Sequence, residues 1–103
     1  MLDHNKLDEK NINKLVEYIG ETTSKLAKQA YGIYVQEIDS IITSKATNVK
    51  DIERILDSLL GICYDSNILK LFKKLCRYYY YIDKQAVAEY VEMYREMWDS
   101  DDK

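Results

Sequence analysis

Apolar residues recur every three or four positions along most of this 103-residue chain, which is the spacing of one face of an α-helix. Two stretches with this spacing, near residues 7–20 and 23–45, are predicted to be separate helices. Gly20 favours a helix end, and the Thr-Thr-Ser run that follows can cap a new helix. The apolar stripe keeps nearly the same phase across Gly20, so one uninterrupted helix stays open as an alternative.

The second half of the chain carries three shorter apolar stripes, each preceded by residues that can cap a helix. Residues 46–48 form the clearest linker, and Asn48 followed by Asp51 resembles a capping box that starts a helix. The next helix is predicted near residues 67–82, with Asp65, Ser66 and Asn67 as residues that can cap it, and Asp83 can cap the last one. The apolar positions expected to face the core are Ile52, Ile55, Leu56, Leu59, Leu60, Cys63, Ile68, Leu71, Phe72, Leu75, Tyr79, Ile82, Val87, Tyr90, Val91, Tyr94 and Trp98.

The composition agrees with helices and with one domain. The chain has no proline and only three glycines, so it has little turn chemistry, while 47% hydrophobic and 32% charged residues supply amphipathic helices. The predicted fold is all-α, a single-domain bundle of four or five helices over residues 1–103, with 1–6 and 99–103 frayed. No apolar run is long enough to span a membrane and the N terminus lacks a signal-peptide core, so we expect a cytoplasmic protein.

Charge is distributed unevenly over the last third of the chain, although the net charge is only −3. Residues 67–82 hold four basic residues and no acid, whereas residues 83–103 hold seven acids and three bases. Seven of the ten tyrosines also lie between Tyr64 and Tyr94, and tyrosine is enriched at contact surfaces. We therefore expect a partner to bind here.

The helix near residues 67–82 has a basic face opposite its core stripe. That face comprises Lys70, Lys73, Lys74 and Arg77, and the exposed rings of Tyr80 and Tyr81 flank it. Cations for phosphates and rings for bases are what single-stranded nucleic acid would use. Alternatively, the basic face pairs with the acidic helix that follows, and the acidity of the whole domain favours this second interpretation.

The last helix has an acidic stripe, defined as Glu89, Glu92, Glu96 and Asp99, on the side opposite Tyr94 and Trp98. Like charges at this spacing repel by a few tenths of a kcal/mol per pair, which a basic partner would relieve. The competing interpretation is a solvated face that keeps the protein soluble. The predicted protein-binding surface joins this stripe to Tyr80 and Tyr81, with a basic protein as the partner.

Catalytic, metal and cofactor chemistry find little support in the residues. The single histidine, His4, lies in a polar N-terminal stretch, and there is no phosphate-binding, dinucleotide-binding, zinc-protease or calcium-loop motif. Carboxylate pairs such as Glu89 with Glu92 are interpreted as solvated. Cys63 and Cys76 lack both a CxxC spacing and a nearby histidine, so we expect reduced core thiols.

The segments 75–81 (LCRYYYY) and 94–99 (YREMWD) resemble small helical bacterial immunity proteins, which neutralise a cognate secreted toxin. The resemblance rests on size, acidity and tyrosine content and covers about the last third of the chain. It implies a cytoplasmic, non-enzymatic inhibitor that blocks a basic toxin or nuclease with carboxylates and tyrosines. The alternatives are a nucleic-acid-binding protein, a helical subunit of a nucleoprotein complex, and a structural homo-oligomer.

Overall fold

Four helices follow one another in the computed structural model, which describes residues 9–99 and, before residue 21, only the side chains of residues 13, 14 and 17. They are α1 (Glu9–Ser44), α2 (Val49–Leu60), α3 (Ser66–Tyr80) and α4 (Lys84–Trp98). The prediction of an all-helical bundle of four or five helices is confirmed. Of the predicted frayed ends, only Asp99 lies within the described residues, and it forms the C-cap of α4. None of the helices in residues 9–99 is long and apolar enough to cross a membrane.

The predicted break at Gly20 is wrong, and the uninterrupted helix is correct, because α1 runs through this position for 36 residues. A glycine inside a helix costs only about 1 kcal/mol relative to alanine. Breaking the helix would instead leave unsatisfied backbone groups at two new ends. At about 1.5 Å per residue, α1 accounts for nearly all of the 57 Å long dimension of the molecule.

Helix α1 ends in a left-handed turn at Lys45, whose φ is 57°. The Lys45 amide donates to the Ile42 carbonyl at 3.2 Å, and the Ala46 amide donates to the Ile41 carbonyl at 3.0 Å. These two bonds make a Schellman motif with lysine at the position that glycine usually occupies. The Tyr78 hydroxyl of α3 then donates to the Ala46 carbonyl at 2.6 Å, which fixes the linker predicted at residues 46–48 against the bundle.

The predicted caps of the other helices are confirmed. The Asn48 side chain accepts from the amide of Asp51, the Asp65 side chain accepts from two amides at the start of α3, and the Asp83 side chain accepts from the Ala86 amide. Each cap satisfies backbone donors that have no partner inside the helix. Three separate helices therefore begin where the local sequence indicates.

Helix α3 is the centre of the bundle, because it packs against α1, α2 and α4. The core is contributed by all four helices and by the loop before α3. Its buried residues are Ala27, Ile38, Ile52, Ile55, Leu56, Leu59, Leu60, Cys63, Ile68, Leu71, Phe72, Leu75, Cys76, Tyr79, Val87 and Tyr90.

Two residues expected in the core of α4 lie at the surface. Val91 is 42% exposed and Trp98 is 38% exposed. Trp98 lies at the end of α4 over the loop between α2 and α3, where its indole Nε1 donates to the Leu60 carbonyl at 2.8 Å and its ring contacts Tyr64. Val91 is exposed because the side of α4 on which it lies has no covering helix, a feature that defines the candidate site.

The central position of α3 predicts a large effect for Leu75→Ala. Leu75 is fully buried, so its truncation should lower the free energy of unfolding by about 2–5 kcal/mol through lost burial and a cavity. Denaturant melts would measure this change. Leu26→Ala is the matched control, since Leu26 is 52% exposed and should change stability by no more than about 0.5 kcal/mol. Equal effects of the two substitutions would contradict the assigned core.

Candidate binding groove between the last two helices

An apolar groove of about 600 Å³ lies open between α3 and α4. On α3 its lining residues recur at helical spacing, so they form a stripe beside the core face. On α4 they are three and four residues apart and face α3. The lining comprises Leu69, Phe72, Lys73, Cys76, Arg77, Tyr80 and Tyr81 on the α3 side, and Val87, Val91, Tyr94 and Arg95 on α4.

The groove is bordered by cations and by no acid. Lys73 and Arg77 lie one turn apart on the α3 wall, and Arg95 lies on the α4 wall. All three side chains are exposed, and none forms an ion pair with another residue in the described part of the chain. The groove thus combines an apolar floor with positive charge on both walls.

Aromatic rings shape the ends of the groove. Tyr80 and Tyr81 meet edge to face, with ring centroids 5.7 Å apart, and Tyr81 is 87% exposed. Lys84 lies over the Tyr80 ring at 5.6 Å, within the range of a cation–π contact. Deeper along the groove, Phe72 and Tyr94 stack with centroids 6.0 Å apart, which joins the floor to the α4 wall.

The structure divides the predicted basic face. Lys74 forms an ion pair with Asp39 at 2.8 Å, which connects α3 to α1. The pairing that was predicted with the acidic helix α4 is therefore made with α1 instead. Lys73 and Arg77 border the groove with Tyr80 and Tyr81. Lys70 is exposed and does not line the groove. Tyr80 and Tyr81 belonged to both predicted binding sets. In the structure they line the groove with Lys73 and Arg77 and not with the acidic residues of α4.

The acidic stripe lies on a different side of α4. Glu89, Glu92, Glu96 and Asp99 are all exposed, and none of them lines the groove or forms an ion pair with a described residue. The stripe is therefore separate from the groove and follows the solvent face of α4. Arg95 lies between the two surfaces, because it lines the groove and is one turn away from both Glu92 and Asp99.

The two thiols are free, and both are buried in the core, where the sequence predicts them. Burial raises the pKa of the Cys63 thiol to about 11 and that of the Cys76 thiol to about 12. Cys76 lies on the floor of the groove as a neutral, weakly polar group, which is unsuited to nucleophilic attack. No cluster of three or more potential metal ligands occurs within residues 9–99.

Two buried tyrosines connect the α3–α4 pair to α2 by hydrogen bonds. The Tyr79 hydroxyl donates to the Glu53 carboxylate at 2.6 Å, and the Tyr90 hydroxyl donates to the Asp57 carboxylate at 2.7 Å. Burial, and then these hydrogen bonds to carboxylates, raise the pKa of both tyrosines well above the usual value of 10.0. Helix α2 thus fills one side of the α3–α4 pair, and the groove is the side left open.

Seven groove residues were absent from the two binding sets predicted from the sequence. Phe72, Val87, Val91 and Tyr94 were expected in the core, Cys76 was expected as a buried thiol, and Leu69 and Arg95 were assigned no role. The signal for them was the width of the apolar arc on α3. Leu69, Cys76 and Tyr80 extend that arc beyond the stripe that α1 and α2 can cover. Arg95 is a cation among the acids of α4, and only the orientation of α4 places it on the groove.

Comparison of the chain with protein-family models, curated proteins and solved structures gave no match.

The buried tyrosines and thiols predict a loss of stability in alkali. Their folded pKa values are raised, so their contribution is complete below the unfolded values, 9.0 for thiols and 10.0 for tyrosines. It is lost as the pH rises from there through the folded values. The free energy of unfolding, measured by urea melts at a series of pH values, should therefore fall steeply above about pH 9.

The double variant Tyr79→Phe/Tyr90→Phe isolates the tyrosines. At neutral pH it should lose about 1.5 kcal/mol per hydroxyl, the lower end for hydrogen bonds to charged groups, because Glu53 and Asp57 remain accessible to water. Above pH 10 its stability should fall less steeply than that of the parent. An unchanged slope would show that these hydroxyls do not cause the alkaline transition.

Proposed function

We propose that this chain is a non-enzymatic protein-binding module that recognises its partner through the surface of its last two helices. The observation that carries the proposal is the open groove between α3 and α4. Its volume, about 600 Å³, falls in the range of binding sites, and an exposed apolar patch with a polar border is typical of an interaction surface.

The residue types around the groove support a protein partner. Tyrosine and arginine are enriched among the residues that dominate binding energy at protein interfaces. Tyr80, Tyr81 and Tyr94 present large rings at this surface, and Arg77 and Arg95 present guanidinium groups. A surface of this kind supplies apolar contact area in its centre and charged contacts at its edge.

A second candidate function is inhibition of a basic toxin or nuclease, as in the immunity proteins that the sequence resembles. It is favoured by the acidic stripe, whose four carboxylates are exposed and have no ion-pair partner among residues 9–99. A basic protein would relieve the repulsion along the stripe and would be steered towards it. This function would use the negatively charged stripe, whereas the walls of the groove are positively charged.

Nucleic-acid binding is a weaker use of the same groove. Lys73 and Arg77 lie beside Tyr80 and Tyr81, which supplies cations and rings. Against it, Lys74 is already paired with Asp39, and the chain carries a net charge of −3. An extended polyanion would also lie close to the acidic stripe of the neighbouring helix.

Filling the groove should abolish partner binding. In Val91→Trp the larger ring would occupy the space that a partner enters, and binding should weaken at least about tenfold. The parent and variant proteins would serve as baits for proteins of the native cell, with mass-spectrometric identification of what is retained. Met93→Trp is the matched control, because Met93 is exposed on α4 but does not line the groove. A partner retained equally by all three proteins would refute the groove as the binding site.

The inhibitor hypothesis predicts a different sensitivity. Glu92→Lys/Glu96→Lys should slow association with a basic partner by about tenfold or more at low salt, because electrostatic steering is lost. The fold should persist, since both residues are exposed. Stopped-flow or biosensor kinetics at low and physiological salt would measure the effect.

The matched control is Glu17→Lys/Glu21→Lys on α1. Both pairs of substitutions change the net charge by +4, from −3 to +1, and Glu17 and Glu21 are also exposed. If the two double variants slow association equally, only the overall charge matters and the acidic stripe is not the inhibitory site.

A further inference from the structure

We infer that the α3–α4 groove receives an acidic amphipathic helix of a partner protein. This inference rests on the proposed binding function and specifies the chemistry of the partner. The known contacts of α2 with the same helix pair, the charges on the groove walls and the length of the groove all support it.

Helix α2 already shows how this helix pair accommodates a third helix. It buries the stripe Ile52, Ile55, Leu56 and Leu59 in the core and presents carboxylates towards α3 and α4. On that side the carboxylates meet the hydroxyls of Tyr79 and Tyr90. On the open side, an equivalent helix would meet an apolar floor and cations in place of hydroxyls.

The cations lie on both walls of the groove. Lys73 and Arg77 are spaced by one turn on α3, and Arg95 stands on α4. A helix with an apolar stripe and acids on both flanks matches this pattern, because its two flanks face the two walls. An anionic lipid with one charged headgroup would need the cations of its binding site to lie together at one place. A nucleic acid would leave the apolar floor at Phe72 and Cys76 without complementary contacts.

The length of the groove also suits a short helix. From Leu69 to Tyr80 the α3 wall spans 11 residue steps, or about 16 Å at the helical rise. A partner helix of about three turns covers that distance and presents three or four apolar side chains to the floor. Recognition of this kind needs only a short segment of the partner.

Three synthetic peptides of one design test the inference on the full chain. Each has about 12 residues, with leucine or phenylalanine at the i, i+3, i+4 and i+7 positions and alanine elsewhere on the outer face. The flanking positions are all glutamate, all glutamine or all lysine. A side-chain staple on the outer face holds each peptide helical, since free helices of this length are marginal in water.

Fluorescence polarisation at physiological salt should rank the peptides by charge. The glutamate peptide should bind about tenfold more tightly than the glutamine peptide, and the lysine peptide most weakly, because three partly exposed charge pairs each contribute a small amount. Lys73→Glu/Arg77→Glu should reverse this ranking. Lys50→Glu/Lys70→Glu makes the same change in net charge outside the groove and should preserve it. Circular dichroism and melts would establish that both variants are folded.

Several results would overturn the inference and leave the binding function intact. In the first, all three peptides bind equally well and Val91→Trp abolishes their binding, which would show that the groove binds a helix without selecting its charge. In the second, no peptide binds although Val91→Trp still prevents binding of the native partner, which would show that the occupant is not a helix. If a 12-nucleotide single strand or palmitate micelles compete at the groove and bind more tightly than the peptides, the ligand is of a different class.

If the chain is a dimer in solution and Val91→Trp dissociates it, the occupant of the groove is a second copy of this chain. If no peptide binds and Val91→Trp leaves partner capture unchanged, the proposed function fails as well.

Discussion

Helix α3 has to bury apolar side chains in several directions at once, and the arrangement of the other helices follows from this requirement. Its apolar residues cover more than half of its circumference, so one neighbouring helix cannot remove them all from water. Helix α1 covers one flank, α2 covers the inner face and α4 covers part of the other flank. A fourth neighbour would be needed to close the arc, and within the described residues that position is the groove.

Polar contacts then determine how the helices are aligned around α3. The Tyr79 and Tyr90 hydroxyls reach two carboxylates of α2 that are one turn apart, so they fix the height of α2 relative to both later helices. The Tyr64 hydroxyl donates to the Thr23 carbonyl at 2.8 Å and fixes α1 in the same way. Hydroxyls suit this role because neutral donors are less costly to bury than lysine or arginine. The seven tyrosines between residues 64 and 94 therefore divide into two groups, four whose hydroxyls align helices and three that line the groove.

Local features were predictable from the sequence, and features that depend on the neighbours of a helix were not. Asn48, Asp65 and Asp83 cap helices because each satisfies amides only two or three residues away. At Gly20 the local sequence favoured a helix end, whereas the apolar stripe continued through it with the same phase. The helix is continuous, so the burial of the stripe outweighs the local preference. Val91 has the periodicity of a core residue, yet the number of helices available leaves it exposed. The groove was missed for the same reason, since periodicity shows which residues are apolar and not which of them lack a covering helix.

The opposite charges on the two sides of α4 have a consequence for how a partner would approach. At physiological salt the Debye length is about 8 Å, which is slightly less than the width of a helix. A partner farther away than this senses only a weak, screened repulsion from the net charge of −3, whereas a segment inside the groove senses mainly Lys73, Arg77 and Arg95. For an acidic helix, encounter is weakly opposed and the bound state is favoured, and approach over α3 avoids the acidic stripe. Charge would then contribute to the orientation and lifetime of the complex more than to its rate of formation, while the apolar floor supplies most of the affinity.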